Sequence, residues 1–312
     1  MRLHNHRGPR CPWILAALAF VIAANPRAFP AAPYAFSGQQ AFDYLKRDVA
    51  FGPRPAGSAA LEASRQWILS ELRRDGCQVR EDKFTADTPI GNIPMANLIC
   101  VLPGRQKEMV MVTGHYDTKL FKKFRFVGAN DGGSSTGLLL ELARVLAHQP
   151  HRLTYWLVFF DGEEAMVHWS ATDGTYGSRH MVARLTADGK LGRIKAMILV
   201  DMVAEDHLDI RRDMNSTASL NKLVFSTAER LGYSSYFHAN RTTGIDDDHV
   251  PFVDAGVSAI DIIGLHYGPG DGLFGGYWHT AQDTVEHCSP ASLTIVGRVV
   301  LSTLDALDKP SK

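Results

Sequence analysis

The chain contains 312 residues, of which 45% are hydrophobic and 21% are charged. This composition is typical of a globular protein with a sizeable core, and the length favours one large α/β domain over two small ones. The 33 basic and 33 acidic residues balance. The charge pattern therefore excludes both the basic excess of a nucleic-acid-binding protein and the acidic tail of a disordered interaction arm.

The first residues of the chain have the features of a targeting segment. Arg2, Arg7 and Arg10 come first, with no acidic residue among them, and residues 11–24 then form an uncharged apolar run. That run has the length of a signal-peptide core and is short for a membrane span. We therefore predict a signal peptide or an N-terminal anchor plus a short linker over residues 1–32 and a catalytic domain over residues 33–312. Both readings predict a secreted or periplasmic location, with no membrane partner beyond the possible anchor.

Two helices and a pair of strands are predicted at the start of the domain. Helical periodicity covers residues 41–50 and 58–74, and a glycine shortly after the second segment favours a helix end there. Residues 78–84 and 95–102 have strand character, and a turn containing Pro89 lies between them. This arrangement predicts an antiparallel pair.

Strands and helices alternate through the rest of the chain. The predicted strands cover residues 109–114, 153–160, 194–200 and 257–263, and the predicted helices cover residues 134–148, 177–185, 218–231 and 292–307. Such alternation predicts a mixed, mostly parallel central sheet with helices on both faces, and the opening strand pair adds an antiparallel edge.

Three cysteines follow the targeting segment: Cys77, Cys100 and Cys288. Their spacing excludes a zinc ribbon or a redox motif with two intervening residues. Cys77 and Cys100 flank the first two strands, so they either pair in an oxidising compartment or remain buried free thiols. The sequence leaves both possibilities open.

Metal-binding residue types follow the ends of several predicted strands. Glu163 and Glu164 come directly after the strand ending at Phe160, where one carboxylate can bind a metal and the other can move protons. Because ligands bind beyond the carboxyl ends of strands in α/β sheets, one crevice can collect all of these side chains. Imidazole and carboxylate ligands without thiolate suit zinc. The full set is His115, Asp117, Asp131, Glu163, Glu164, Asp201 and His279.

Several strings of residues make the chain resemble the glutaminyl-peptide cyclotransferases (glutaminyl cyclases), within the zinc aminopeptidase superfamily of the M28 type. The resemblance covers approximately residues 36–308. The strings are GHYDTK at 114–119, FVGANDG at 126–132, LELARVL at 140–146, FFDGEEAMVHWS at 159–170, YGSRH at 176–180, DDDHVPF at 246–252 and YWHT at 277–280.

The resemblance implies a role for each matching residue. One zinc ion is expected on Asp131, Glu164 and His279, and Glu163 is expected to be the catalytic acid and base. Trp169 and Trp278 match pocket-wall positions of the family. Phe274 or a neighbour is a further candidate for the wall without a motif match. Two carboxylates, Asp201 and Asp247, would complete the proton network.

Two positions depart from the family pattern. Animal members carry a cysteine just before the histidine that matches His115, whereas this chain has Gly114, so that disulfide is absent. The residue before Asp247 is often Gln or Glu in the family and is Asp246 here. Neither position is a proposed ligand.

The expected activity is conversion of an N-terminal glutamine, in peptides or proteins, to pyroglutamate with release of ammonia. The alternative is a secreted zinc aminopeptidase, because the chain also has the residues for two zinc ions. Under this alternative, Asp131 binds both zinc ions. His115 and Asp201 complete one site, and Glu164 and His279 complete the other. A binding module that has lost its chemistry is a third possibility, and the intact Glu163 and ligand set argue against it.

Three other polar features of the sequence give no clear indication of a catalytic or ligand-binding role. Lys122, Lys123 and Arg125 form a basic loop whose simplest interpretation is a solvated surface. His207 and His249 are interpreted as structural residues. The glycine-rich segment 268–276 precedes no helix, so it is not a phosphate loop, and we expect it to form a mobile rim of the pocket.

Overall fold

The strands of the described residues are β1 (Gln78–Thr88), β2 (Gly91–Leu102), β3 (Met109–His115), β4 (Thr154–Phe160), β5 (Ile194–Asp201), β6 (Ile210–Asp213), β7 (Phe237–Thr243) and β8 (Ala259–Ile263). Six of them form the central sheet, in the order β1-β2-β4-β3-β5-β8. The computed structural model describes Met1 and residues 35–310, so the predicted targeting segment lies almost entirely outside the described residues. Two further strands, β6 and β7, form a separate parallel pair.

The register of the sheet places four strand ends on one edge. β1 and β2 form an antiparallel hairpin, and β2 pairs antiparallel with β4. β4, β3, β5 and β8 then pair in parallel. Their carboxyl ends therefore meet at the same edge, which carries His115 at the end of β3 and Asp201 at the end of β5. The predicted mostly parallel sheet with an antiparallel edge is confirmed.

Helices cover both faces of the sheet, also as predicted. Serine side chains cap the first two helices: Ser37 accepts a hydrogen bond from the Gln40 amide, and Ser58 accepts one from the Leu61 amide. Such caps satisfy backbone donors that have no partner within the helix. The helices are α1 (Gly38–Val49), α2 (Ala59–Arg74), α3 (Gly133–Leu146), α4 (Tyr176–Ala187), α5 (Ala218–Arg230), α6 (Val250–Asp254) and α7 (Pro290–Asp308).

Apolar side chains that alternate along the strands build a core on each face. Val110 and Val112 of β3 pack in the larger cluster, with residues of α1, α2, α3, α5 and α7. Met111 points the other way, into a cluster with Met181 of α4 and Phe252 of α6. This period of two is the pleat of the strand. Among the described residues, α7 alone is long and apolar enough to span a membrane, and it lies half buried within the larger core.

A disulfide joins the start of the first strand to the second strand. Cys77 and Cys100 are bonded, with Cα atoms 5.2 Å apart. This resolves the alternative that the sequence left open. Cys288 is a buried free thiol.

Candidate active site

The residues predicted as metal ligands and as the catalytic acid lie together at the carboxyl edge of the sheet. His115 and Asp201 end two strands, and Glu163 and Glu164 follow β4 by a short turn. Asp131 lies just before α3, and His279 lies in the loop between β8 and α7. All these side chains are buried except that of His279, which is partly exposed.

One imidazole and two carboxylates converge at the first candidate metal site. His279 Nε2 lies 3.0 Å from Glu164 Oε1 and 3.2 Å from Asp131 Oδ2. Their ligand atoms all lie within 4.8 Å of one another. Asp131 Oδ2 is buried and accepts no hydrogen bond with good geometry. A buried oxygen without a hydrogen bond, beside a second carboxylate and an imidazole, fits a bound cation.

A second candidate metal site also contains Asp131. His115 Nε2 lies 3.2 Å from Asp131 Oδ1 and 3.2 Å from Asp201 Oδ1. The two oxygens of Asp131 therefore face the two groups separately. The ligand atoms of the second group also all lie within 4.8 Å of one another. The geometry thus contains both of the ligand sets that the sequence predicted.

Two aspartates hold the ligand loops through backbone N–H groups. Asp117 accepts hydrogen bonds from the amides of Glu163 (3.1 Å) and Glu164 (3.3 Å). Asp283 accepts from the amides of Asn130 (2.8 Å) and Asp131 (3.2 Å). Asp283 follows His279 by four residues but lies outside the sequence strings that carry the family resemblance, so no pattern indicates its role.

A lysine also contacts the first group. Lys119 Nζ lies 3.3 Å from Glu164 Oε2 and donates to the Ala165 carbonyl at 3.1 Å. It therefore occupies the Glu164 oxygen that faces away from His279. Lys119 is the last residue of the GHYDTK string, and the sequence alone predicts no role for it.

Burial and neighbouring charges shift the pKa of the acidic groups. Burial raises the pKa of Glu163 well above its ordinary range, and the carboxylates of Glu164 and Asp247 raise it further. Burial and the charge of Asp201 raise the pKa of Asp247 in the same way. Burial also raises the pKa of Asp201, and the nearby His115 opposes that rise. A carboxyl with a raised pKa can carry and donate a proton near neutral pH.

The imidazole of His279 shifts toward its charged form. Burial alone would lower its pKa, but the carboxylates of Glu164 and Asp131 outweigh burial and raise the pKa to about 9. Its backbone has a φ of +55°, in the left-handed region. Met202, directly after Asp201, has a φ of +47°. Such conformations cost energy for residues other than glycine and cluster at functional sites.

A cavity of about 460 Å³ opens over these groups. The Trp278 ring stacks on His279 with centroids 3.9 Å apart, and Phe274 packs on Trp278 at 4.4 Å. Trp169 is 41% exposed on another side of the cavity, where its Nε1 donates to Asp246 Oδ2 at 3.3 Å. The unusual aspartate at position 246 therefore contacts the pocket wall.

A buried aspartate fixes the segment that carries Trp169. Asp173 accepts hydrogen bonds from the amides of Met166 (2.7 Å), Val167 (2.9 Å) and His168 (2.9 Å). The Tyr176 hydroxyl also donates to it at 2.8 Å. These donors outweigh burial and lower the pKa of Asp173.

The two histidines interpreted as structural lie apart from these groups. His249 is fully buried and pairs with Asp213, with Nε2 3.0 Å from Oδ2. His207 is exposed.

Residues 97–304 match the model of peptidase family M28. The match covers about two thirds of the chain, so the chain belongs to peptidase family M28. It is similar to the crystal structure of a glutaminyl cyclase from an Acidobacteriales bacterium. The two are 38% identical with a TM-score of 0.84, over 91% of this chain and 99% of that one. Within family M28, the chain belongs with the glutaminyl cyclases, as its motifs indicated.

Two further relatives show the range of the family. A glutaminyl-peptide cyclotransferase of Drosophila melanogaster is 28% identical, over 79% of this chain and 76% of that protein. The structure of a leucine aminopeptidase precursor from Bacteroides thetaiotaomicron is 25% identical with a TM-score of 0.78, over 86% of this chain and 97% of that one. The fold is therefore common to proteins named for both of the activities considered above.

Proposed function

We propose that this chain is a glutaminyl-peptide cyclotransferase that converts the N-terminal glutamine of peptides or proteins to pyroglutamate and releases ammonia. The observation that carries the proposal is the placement of Glu163. Its protonatable carboxyl lies beside the group of Asp131, Glu164 and His279, at the base of an aromatic cavity. The relatives named as glutaminyl cyclases support the same activity.

In this proposal, Asp131, Glu164 and His279 hold one zinc ion. Three protein ligands of imidazole and carboxylate type fit a catalytic zinc site, in which a fourth coordination position stays open. When bound there, zinc supplies Lewis-acid polarisation of the side-chain amide carbonyl of the substrate. Lys119 and Asp117 keep Glu164 oriented through its second oxygen and its backbone amide.

Glu163 moves the proton that the reaction requires. The α-amine nitrogen of the substrate attacks the side-chain amide carbon, so one C–N bond forms and the bond to the amide nitrogen breaks. Glu163 accepts a proton from the attacking amine and delivers it to the leaving nitrogen, which departs as ammonia. Water is not consumed. Asp201 and Asp247 complete the proton network around this carboxyl.

The aromatic walls hold the substrate side chain in the cyclising conformation. A glutamine side chain has several rotatable bonds, so closing a ring on it has an entropic cost that a fitted pocket reduces. Trp278 and Phe274 form one wall of the cavity, and Trp169 forms another. We assign the substrate contact to these three rings.

The alternative, a two-zinc aminopeptidase, is favoured by one feature. Asp131 lies between the two ligand groups, and His115 and Asp201 complete the second group. In that reaction Glu163 would activate a water molecule instead of moving a proton between nitrogen atoms. It has less support, because the relative of higher identity is named for cyclisation.

We further propose that the enzyme acts outside the cytoplasm, after secretion or in a periplasm. The disulfide between Cys77 and Cys100 supports this proposal, because disulfides persist in oxidising compartments. Localisation of a tagged full-length chain by cell fractionation tests it, and recovery in the cytoplasm alone would contradict it.

The activity is tested by mass spectrometry on two matched peptides, one beginning with Gln and the other with Leu. We expect the Gln peptide to lose the mass of one ammonia and the Leu peptide to stay intact. Release of free leucine without cyclisation would promote the aminopeptidase.

A further inference from the structure

The loop that leads to Asp131 has an unusual charge for this protein. The chain as a whole is neutral, yet residues 118–130 contain four basic residues and no acidic residue. Aromatic residues alternate with the basic ones along the loop. The basic residues are Lys119, Lys122, Lys123 and Arg125, and the aromatic residues are Phe121, Phe124 and Phe126.

The aromatic residues attach this loop to the cavity. The Phe121 ring meets the His279 ring edge-on with centroids 5.7 Å apart, and Phe126 does so at 5.8 Å. Phe121 also stacks on Phe124 at 4.5 Å. His279 and Lys119 both line the cavity. Lys122 and Lys123 lie between Phe121 and Phe124 in the chain, so they flank rings that pack against the His279 side of the cavity.

Three of the cations are free to bind a ligand. Lys122, Lys123 and Arg125 are exposed and have neither an ion pair nor a hydrogen bond with any residue in the described part of the chain. Lys122 and Lys123 are adjacent in the chain and together form the larger concentration of charge. Two other surface lysines differ in this respect, since Lys46 pairs with Asp43 at 2.6 Å and Lys190 pairs with Asp188 at 2.7 Å.

The floor of the cavity is acidic, in contrast to the basic loop, because carboxyl groups line it. Asp131, Glu163, Glu164, Asp201 and Asp247 all line it. A peptide that enters with its N-terminal amine toward these groups leaves through the mouth with its following residues. Charge complementarity then favours acidic side chains on those residues.

We propose that Lys122 and Lys123 form a recognition site for carboxylate side chains that follow the N-terminal glutamine, so that the enzyme prefers acidic peptides. This inference rests on the proposed cyclotransferase activity. A merely solvated loop, the simplest interpretation of the sequence, predicts no such preference.

The experiment compares the peptides Gln-Ala-Glu-Glu and Gln-Ala-Gln-Gln, which differ only in the charge of two side chains. The ratio of their kcat/KM values is measured for the wild type, for Lys122→Gln/Lys123→Gln and for Lys122→Glu/Lys123→Glu. The matched control is Lys195→Gln, an exposed lysine near the start of β5 at the opposite edge of the sheet. Thermal melts confirm that each variant is folded.

The wild type should prefer the acidic peptide, roughly two- to fivefold for each ion pair formed. The preference should shrink in 0.5 M salt, approach one in the glutamine variant and invert in the glutamate variant. Lys195→Gln should keep the wild-type ratio. Equal kcat/KM values for the two peptides in every protein would overturn the inference and leave the cyclotransferase activity intact.

A binding measurement separates failure of the inference from failure of the proposed function. Fluorescence anisotropy with labelled pyroglutamyl-Ala-Glu-Glu and pyroglutamyl-Ala-Gln-Gln requires no turnover. Tighter binding of the acidic peptide, lost in Lys122→Gln/Lys123→Gln, supports the recognition site even if no peptide is cyclised. Equal binding of both peptides to the wild type contradicts it.

Discussion

Binding of zinc at the proposed site should displace a proton from His279. The carboxylates of Glu164 and Asp131 raise the pKa of this imidazole from an ordinary 6.5 to about 9 in the metal-free protein, against the effect of burial. A ligand imidazole must be neutral, so the proton has to leave when the metal binds. Below pH 9 the apparent affinity for zinc should fall about tenfold for each pH unit. Between pH 8 and pH 6 it should therefore fall at least about a hundredfold.

The pH has the opposite effect on the stability of the metal-free folded protein. A raised pKa means that the charged imidazole stabilises the folded state. That contribution is fully present below pH 6.5 and is lost as the pH rises through about 9. Low pH thus favours the folded metal-free protein and disfavours the metal complex.

The assay is competition between metal-free protein and a chelator of known affinity at pH 6, 7 and 8. Calorimetry in two buffers of different ionisation enthalpy counts the protons released at pH 7. His238→Asn, which removes a histidine paired with Asp209 away from the cavity, is the control. It should retain the wild-type slope. A zinc affinity that is the same at pH 6 and pH 8 would refute the assignment of His279 as a ligand.

Two further predictions concern the supports of the site and the fold. Cys77→Ser breaks a disulfide that spans 23 residues; loop entropy gives a loss of about 3 kcal/mol, and a melting temperature lower by roughly 6–12 °C. A melting curve unchanged from the wild type would show that the disulfide contributes nothing. Asp173→Asn removes the charge that accepts three backbone N–H groups beside Trp169; we expect KM to rise about tenfold with zinc content unchanged. An unaltered KM would show that this aspartate does not position the pocket wall.

Local pattern predicted the regular elements well, because each depends on short-range periodicity. The strands at 109–115 and 154–160 are continuous apolar runs that are buried on both faces of the sheet. β7 is different, since most of its side chains are exposed and it lacks alternation. The five-residue α6 is too short to have a detectable period. Both of these elements escaped prediction.

The order of the strands in the sheet depends on long-range contacts, and the periodicity of the sequence does not reveal these. β4 lies between β2 and β3 although it follows both in sequence. The residues predicted as ligands nevertheless lie together in the structure, because the segments that carry them follow the carboxyl ends of parallel strands, which meet at one edge of the sheet.

The supports of the site were harder to predict than the ligands. Asp173 and Asp283 act through backbone N–H groups, which every residue except proline carries, so the sequence around their partners has no distinctive pattern. Lys119 reaches Glu164 across 45 residues of chain. These roles follow from the folded geometry alone.

The central claim is the division of labour between the adjacent residues Glu163 and Glu164. Zinc content and cyclisation rate, measured together on Glu163→Gln and Glu164→Gln, test it most directly. We predict that Glu163→Gln keeps its zinc and loses about 10²–10⁴-fold in kcat, the usual contribution of general acid–base catalysis. Glu164→Gln should lose zinc and activity together. A Glu163→Gln protein without zinc, beside a Glu164→Gln protein that retains it, would contradict the account.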